Sequence, residues 1–193
     1  MSNPMSCTEV DKFVQKEVKP KRYLHSVSVA ETAVYLNSRF SCGLEKDDCY
    51  NCGLLHDIAR NWEAGDLLLY TKKHSISLEK EEVHHPQLLH APVGASIVKD
   101  LGFESYEDAI RWHTLGSKNM GKLGLIIYLA DYLEPRRSYL TDSQRVSYIK
   151  MESLEIICLN VLKQMKHHFK DNAFSFATST RGLYEYLKDG GTF

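Results

Sequence analysis

An apolar stretch, Leu54-Leu55-His56-Asp57-Ile58-Ala59-Arg60, sets a histidine and an aspartate side by side at the end of a predicted helix. Successive residues of an α-helix point about 100° apart, so these two side chains can meet at one ion only where the helix ends and the backbone turns. An imidazole nitrogen beside a carboxylate oxygen suits a borderline divalent cation such as iron(II), manganese or zinc. The stretch therefore predicts a metal centre, with at least two more ligands supplied by buried positions of other helices.

Size and charge favour one globular domain. The chain has 193 residues, with 24 basic and 25 acidic side chains, so no overall field points to a nucleic acid or a membrane surface. Neither an export signal nor an apolar run of the roughly 18 residues needed for a membrane span is found. The five cysteines are scattered, which argues against a disulfide framework. A cytoplasmic protein is expected.

The spacing of apolar residues predicts an all-α fold, a single-domain helical bundle. A capping box formed by Ser6 and Glu9 opens a first helix that closes at Lys19-Pro20. Further helices are predicted over about 21–40, 44–57, 62–73, 106–113, 122–134, 142–169 and 181–188, and one that starts at 90. Asp142 is the predicted N-cap of the long helix. The core is expected over about 21–140, with C-terminal helices (142–188) packed on it.

Two residues outside the central pair are candidate ligands because each lies on a buried helical stripe. His25 precedes Val29 by four residues on the apolar face of the second helix, although such a histidine is more often a hydrogen-bonded core residue. Asp131 follows Ile127 by four residues in the most apolar predicted helix. An ionised carboxylate there is costly unless it is paired or bound to a cation. Asp131 is therefore predicted to be a metal ligand in preference to a salt-bridged structural residue.

A rival interpretation is a zinc knuckle, because Cys49, Cys52 and His56 share one helix face at spacings of three and four residues. A structural zinc site needs four ligands, and no second cysteine pair exists to complete it. Small buried hydrophobic residues are the favoured role of both cysteines.

His90 begins a predicted helix that has Pro92 in its first turn. The free amides and partial positive charge of such a terminus suit phosphate oxygens. The alternative is a residue beside the helix cap with no chemistry.

His25, His56-Asp57 and Asp131 together form the spaced pattern H…HD…D, which resembles the HD-domain superfamily of metal-dependent phosphohydrolases. A closer resemblance, to the bacterial YqeK family, extends over about 21–187. The stretches that carry it are, in order, Arg22-Tyr23-Leu24-His25-Ser26-Val27-Ser28-Val29-Ala30, Leu55-His56-Asp57-Ile58-Ala59, His90-Ala91-Pro92-Val93-Gly94-Ala95, Ile110-Arg111-Trp112-His113-Thr114 and Ile127-Tyr128-Leu129-Ala130-Asp131-Tyr132-Leu133-Glu134-Pro135. Members of that family split diadenosine tetraphosphate symmetrically into two ADP.

The resemblance implies a role for each matching residue. His25, His56, Asp57 and Asp131 match the ligands of an iron-type cation, and His90 and His113 match positions that hold the nucleotide phosphates or shape a second metal position. The predicted catalytic residues are Asp57, which could orient or deprotonate the water, and His90 and His113. The residues implied to bind the nucleotide are Arg22, His90, His113, Thr114, Asp131 and Arg137, together with Phe176, Thr178, Thr180 and Arg181 in a segment (173–181) that closes over the nucleoside. One departure is Arg136, where the family usually has glycine. The backbone conformation that leads to Arg137 could therefore differ from that of the family.

The implied reaction is attack on an inner phosphorus by a water that the metal activates. A histidine ring can be a metal ligand or a hydrogen-bond donor, so His90 or His113 could bind a second ion or donate to phosphoryl oxygens. Iron is the favoured metal, with manganese, magnesium or zinc as alternatives, and one or two ions are compatible with the pattern. No nucleic-acid or membrane partner is expected, and a homodimer is left open.

Two alternatives remain. One is an HD-domain nucleotidase or phosphatase that acts on another nucleotide or an alarmone, because the pocket beyond the metal selects the substrate. The other is a nucleotide sensor that has lost catalysis, which would be expected to lack a ligand, whereas all four are present.

Overall fold

The computed structural model describes residues 5–170 and 176–193, without the side chains of 167–170, and in this part of the chain every regular element is helical. The all-α prediction is therefore confirmed. The α-helices are α1 (Cys7–Glu17), α2 (Pro20–Arg39), α3 (Lys46–Leu55), α4 (Ala64–Lys73), α5 (Lys80–His84), α6 (His90–Asp100), α7 (Glu107–Arg111), α8 (Gly121–Leu133), α9 (Asp142–Ile149), α10 (Leu154–Lys170) and α11 (Thr178–Lys188). Short 3₁₀ turns, Pro86–Leu89 and Glu104–Tyr106, precede α6 and α7.

Helices α2, α3 and α8 form the centre of the core. Because α8 is apolar around most of its circumference, it is surrounded by other helices, with every residue from Gly124 to Ala130 buried. Helices α2 and α3 approach each other closely at Gly53, where an added Cβ would lie 2.5 Å from the Cα of Ala30. Glycine is required here for helix packing, and this contact brings the end of α3 beside α2.

The cysteines of α3 belong to this core. Cys49 and Cys52 are fully buried among hydrophobic side chains, and burial raises the pKa of both thiols. Among the described residues, the groups of side chains that could hold a metal ion do not include either cysteine. The apolar role predicted for these cysteines is therefore favoured over the zinc knuckle.

The single long helix predicted over 142–169 is wrong, because the chain forms two helices there. Helix α9 ends at Ile149, and α10 begins at Leu154. The start of α10 is held by Ser153, whose hydroxyl accepts the N–H of Ile156 at 3.3 Å and whose carbonyl accepts that of Ile157 at 3.1 Å. These hydrogen bonds to Ser153 start a new helix in place of a continuous one. The spacing of apolar residues does not indicate such a break.

The prediction of Asp142 as an N-cap is also wrong. Thr141 is the N-cap of α9, and with Gln144 it forms a capping box. The carboxylate of Asp142 instead accepts a hydrogen bond from Arg145 at 3.0 Å. The spacing of Thr141 and Gln144 was the signature that could have placed this boundary.

Helix α11 begins at Thr178, three residues before the predicted start. Two contacts fasten this end: the Ser179 N–H donates to Glu79 at 3.1 Å, and the Thr180 hydroxyl donates to the Leu115 carbonyl at 2.6 Å. Long-range partners therefore determine the helix start. Among the described helices, none is both long enough and apolar enough to cross a membrane.

Candidate functional site

The central pair lies where α3 ends. Helix α3 stops at Leu55, and His56 is its C-cap. His56 is fully buried and Asp57 is 3% exposed. The imidazole Nε2 of His56 lies 3.4 Å from Oδ2 of Asp57, so the two neighbouring side chains converge on one point.

The four predicted metal ligands meet at this point although they come from distant parts of the chain. His25 Nε2 lies 3.0 Å from Asp131 Oδ1 and 3.6 Å from Asp57 Oδ2. His56 Nε2 lies 3.8 Å from the same Asp131 oxygen. Helix α2 supplies His25, the end of α3 supplies the central pair, and the last turn of α8 supplies Asp131.

A backbone hydrogen bond selects the nitrogen of His56 that faces the centre. His56 Nδ1 lies 2.7 Å from the carbonyl oxygen of Gly53. Since a carbonyl can only accept, Nδ1 carries a proton, which leaves Nε2 as the ring nitrogen that can offer a lone pair to the centre. The buried Nε2 atoms of His25 and His56 have no hydrogen-bond partner of acceptable geometry among the described residues. A divalent cation would satisfy both atoms, so the residues present fit a metal ion.

Glu134 contacts His25, a candidate ligand, and this role was not predicted from the sequence. Its Oε1 lies 3.1 Å from His25 Nδ1, and its Oε2 accepts the Arg136 N–H at 2.7 Å. A carboxylate behind a metal-binding histidine fixes the ring orientation and makes the ligand more basic. The signal was the spacing of three residues between Asp131 and Glu134, which places both on the same helical face.

Electrostatics keep the carboxylates ionised despite their burial. Burial alone would raise the pKa of Asp57, but the three imidazoles that surround it, those of His56, His113 and His90, bring it well below its usual range. Burial likewise opposes the low pKa of Asp131, which the adjacent imidazole of His25 outweighs. Both groups are therefore anionic at neutral pH and able to bind a cation.

His90 and His113 form a second cluster on the other oxygen of Asp57. Their Nε2 atoms lie 3.2 Å and 3.7 Å from Asp57 Oδ1, and 3.1 Å from each other. Each Nδ1 atom is held by a backbone carbonyl, that of Gln87 at 2.6 Å and that of Ile110 at 2.7 Å. Two neutral rings in this arrangement would oppose two lone pairs, so the cluster is built to hold a proton or a cation between them.

Two half-buried arginines contact the carboxylates from outside. Arg22 Nη1 donates to Asp57 Oδ2 at 2.7 Å. Arg137 donates through Nε to the Asp131 carbonyl at 2.9 Å and through Nη2 to the Asp131 carboxylate. These guanidinium groups bring positive charge to the rim of the centre, where phosphate oxygens would pass.

Arg136 does not disturb the path to Arg137. In the described part of the chain, the residues other than glycine with positive φ are Ser41 and Ser75, so the position of Arg136 does not require glycine. The turn is further held by Arg145, which is 8% exposed and donates to the carbonyls of Leu133, at 3.1 Å, and of Arg137. Arg145 is thus a positioning residue that the sequence analysis missed.

A cavity of about 270 Å³ opens on the centre. The predicted residues that line it are Arg22, Asp57, His90, His113, Thr114, Asp131 and Arg137. Three tyrosines complete one wall, Tyr128, Tyr132 and Tyr139, and sequence periodicity could not distinguish them from core residues. Thr114 Oγ1 is buried and has no hydrogen-bond partner among the described residues, so it is available to a ligand.

The predicted C-terminal nucleotide residues lie outside this lining. Thr180 donates to the Leu115 carbonyl, Phe176 contacts Tyr184 with ring centroids 6.4 Å apart, and Arg181 donates to the Phe176 carbonyl at 3.4 Å. Thr178 is exposed at the start of α11. Residues 173–175 of the predicted closing segment lie outside the described residues. The role of this segment in nucleotide binding stays a prediction.

Comparison with known proteins places this geometry in a family. Residues 22–136 match the family model described as HD domain. Two curated relatives are each named "Bis(5'-nucleosyl)-tetraphosphatase, symmetrical". The protein from Bacillus subtilis (strain 168) is 35% identical over 65% of this chain and 68% of its own length. The protein from Halalkalibacterium halodurans is 32% identical over 66% of this chain and 68% of its own.

A solved structure extends the similarity to almost the whole fold. It is the crystal structure of a predicted HD superfamily hydrolase involved in NAD metabolism from Clostridium acetobutylicum. It has a TM-score of 0.85 and 26% sequence identity, and covers 97% of this chain and 99% of that one. The residues matched by the family model include all four candidate ligands. The chain therefore belongs to the HD domain family and, within it, to the family of these symmetrical bis(5'-nucleosyl)-tetraphosphatases.

Proposed function

We propose that this protein is a metal-dependent hydrolase that splits diadenosine tetraphosphate symmetrically into two ADP. The observation that carries the proposal is the convergence of His25, His56, Asp57 and Asp131, with two buried Nε2 atoms that lack a protein partner. The names of the curated relatives support the substrate and the symmetry of cleavage.

These four residues would hold the cation. The mixed nitrogen and oxygen donor set suits iron, the favoured metal, and also manganese or zinc, whereas magnesium prefers oxygen donors. When bound, a divalent cation would supply Lewis-acid chemistry, drawing charge from a phosphoryl oxygen and lowering the pKa of a nearby water. The proposal allows one or two ions. The cluster of His90, His113 and Asp57 is the candidate position for a second ion.

Asp57 would orient the attacking water. Its Oδ2 faces His25 and His56, which leaves Oδ1 to accept a hydrogen bond from the water. The water oxygen bonds to one inner phosphorus, the bridging P–O bond opposite breaks, and the departing ADP oxygen keeps the electron pair. The first proton passes by way of Asp57 Oδ1 toward His90 Nε2, which is 3.2 Å away, and both protons of the water finally reach solvent.

The remaining polar groups would bind and neutralise the substrate. Arg22 and Arg137 would offset the charge of the phosphate chain, and His113 and Thr114 would donate to its oxygens. The tyrosine wall of Tyr128, Tyr132 and Tyr139 would contact the nucleoside. A nucleotide-binding role for Phe176, Thr178, Thr180 and Arg181 belongs to this proposal and rests on the family resemblance.

Product analysis tests the proposal. Metal-loaded protein should convert one diadenosine tetraphosphate into two ADP, measured by chromatography and mass spectrometry, with activity lost on chelation and restored by added iron(II). ATP plus AMP as products, or no turnover with any of the four metals, would contradict it. Turnover of another nucleotide with no diadenosine tetraphosphate cleavage would favour the alternative HD-domain nucleotidase.

Other features remain predictions that rest on sequence alone. They are a single domain over 1–193, a cytoplasmic location, the absence of nucleic-acid and membrane partners, and a homodimer left open. Mass measurement in solution would settle the oligomeric state.

A further inference from the structure

We propose that a second cavity beside the metal centre binds the other half of the dinucleotide, with its phosphates on a cationic wall and its base on Trp62. The cavity has a volume of about 720 Å³. Five cationic side chains line it beside one carboxylate, that of Glu134; they are Lys19, Lys21, Arg22, Arg136 and Arg137. The inference rests on the proposed function, because it places the part of the substrate that the first cavity does not hold.

The two cavities adjoin at the candidate metal centre, because Asp57 and Asp131 line the first and His25 lines the second. Arg22 and Arg137 line both of them, and these arginines contact the ligands Asp57 and Asp131. A phosphate chain that crosses the centre therefore passes from one cavity into the other. With one nucleoside diphosphate on each side, the bond that faces the metal is the middle one, which gives a physical reason for symmetrical cleavage.

The charge of the second cavity is not neutralised by the protein. In the described part of the chain, Lys19, Lys21 and Arg136 have no carboxylate within the 4.0 Å of an ion pair, whereas Arg22 and Arg137 are paired. The whole protein has a formal net charge of −1, so this cluster is not the consequence of a generally basic surface. A concave group of unpaired cations beside a hydrolytic centre suits the anionic part of a nucleotide.

A third, shallower cavity of about 530 Å³ continues from the second. Asn61 lines both, and its Oδ1 accepts the Lys19 N–H at 2.9 Å, which fixes this junction. The next residue, Trp62, lines the third cavity and is 38% exposed. Its ring contacts Tyr70 edge to face, with centroids 5.7 Å apart, so the indole is supported while part of it stays open. An exposed, supported indole next to a phosphate-binding wall is a surface on which a base can stack.

Kinetics on two ligands test the assignment. Diadenosine tetraphosphate has two bases, whereas adenosine 5'-tetraphosphate has the same phosphate chain with one base, and serves as a competitive inhibitor. Trp62→Ala should raise the KM for the dinucleotide about fivefold or more, the lower end of what base stacking contributes. The inhibition constant of adenosine tetraphosphate should hardly change, since its single base can occupy the first cavity. Trp62→Phe should restore most of the loss.

The cationic wall is tested by the double variant Lys21→Gln, Arg136→Gln. It should raise both the KM and the inhibition constant about fivefold or more at low salt, and less at high salt, because screening weakens exposed charges. Lys99→Gln is the matched control, since Lys99 is an exposed cation at the far end of α6 whose partner is Glu107. It should leave both constants as in the wild type.

A binding readout accompanies the kinetics. The chain has two tryptophans, so Trp112→Phe leaves Trp62 as the only one. Addition of ADP should change its fluorescence, and the double variant should shift this change to higher ADP concentration. An unchanged KM in Trp62→Ala, an equal rise of both constants in that variant, or a silent Trp62 at saturating ADP would overturn the proposal. Wild-type protein that yields no ADP from the dinucleotide would instead refute the proposed function, while the fluorescence titration would still test the cavity.

Discussion

The metal centre and the cationic cavity beside it hold their polar groups in opposite ways. At the centre, backbone carbonyls fix the rings of His56, His90 and His113, and Glu134 fixes that of His25. In the cavity, Lys19 and Lys21 are exposed and unpaired in the described structure. The side chains of the centre are therefore held in position before the substrate arrives, whereas the cations of the outer cavity would be neutralised by the phosphates of the substrate.

The largest loss of activity is expected from substitution of Asp57, which faces the proposed cation and the attacking water. Asp57→Asn keeps the shape but removes the charge that faces the cation and the attacking water, so kcat should fall by about 10²–10⁴-fold. Steady-state rates and metal content would be measured together. Circular dichroism is the control for folding, and turnover close to that of the wild type would remove Asp57 from the chemistry.

Glu134 should have the next largest effect, through His25. Glu134→Gln weakens the hydrogen bond that orients the ring, so the affinity for iron(II) or zinc should fall about 10–100-fold, measured by chelator competition. Glu82→Gln is a matched control, because Glu82 is also fully buried and accepts two hydrogen bonds from Arg111, at 2.6 Å and 2.8 Å. If both variants lost metal affinity equally, the effect would be one of general stability.

Helix packing behind the centre should give a smaller effect, seen mainly in stability. In Gly53→Ala the new methyl group would meet the backbone of Ala30, so the free energy of unfolding should drop by about 1–3 kcal/mol, measured by urea denaturation. Gly65→Ala is the matched control, because no atom lies within 4 Å of its added Cβ. That variant should be neutral or slightly stabilised.

The smallest effect is expected from the protonation of His25 in metal-free protein. Burial lowers the pKa of His25, but the adjacent carboxylates of Asp131 and Glu134 outweigh this effect and raise the pKa above its ordinary value. A raised pKa stabilises the fold fully below the unfolded value, and this contribution is lost as pH rises through the folded value. Chelator-treated wild type should therefore lose stability relative to His25→Gln between pH 6 and pH 8, measured by denaturant titration. A difference that is constant with pH would contradict this prediction.

Much of the fold could be predicted because helical periodicity is a local property. The stripes of α2 and α8 and the end of α3 were placed to within about two residues, as expected for long periodic segments. The break between α9 and α10 was missed because Ser153 interrupts an apolar pattern that otherwise continues. The start of α11 was missed because its partners, Glu79 and Leu115, are distant in the chain.

Helical periodicity and the end of α3 were enough to nominate candidate ligands, and the family resemblance strengthened the choice of His25. A histidine and an aspartate on buried stripes, and a pair at a helix end, are costly in a core without a cation, so His25, Asp131 and His56-Asp57 could be singled out residue by residue. The contacts between polar atoms could not be predicted in this way. The packing of helices that are tens of residues apart decides these contacts. Examples are the hydrogen bond that orients His56, the contact of Glu134 with His25, and the hydrogen bond between Lys19 and Asn61. A buried face can be inferred from local spacing, but a contact between faces exists only once the chain has folded.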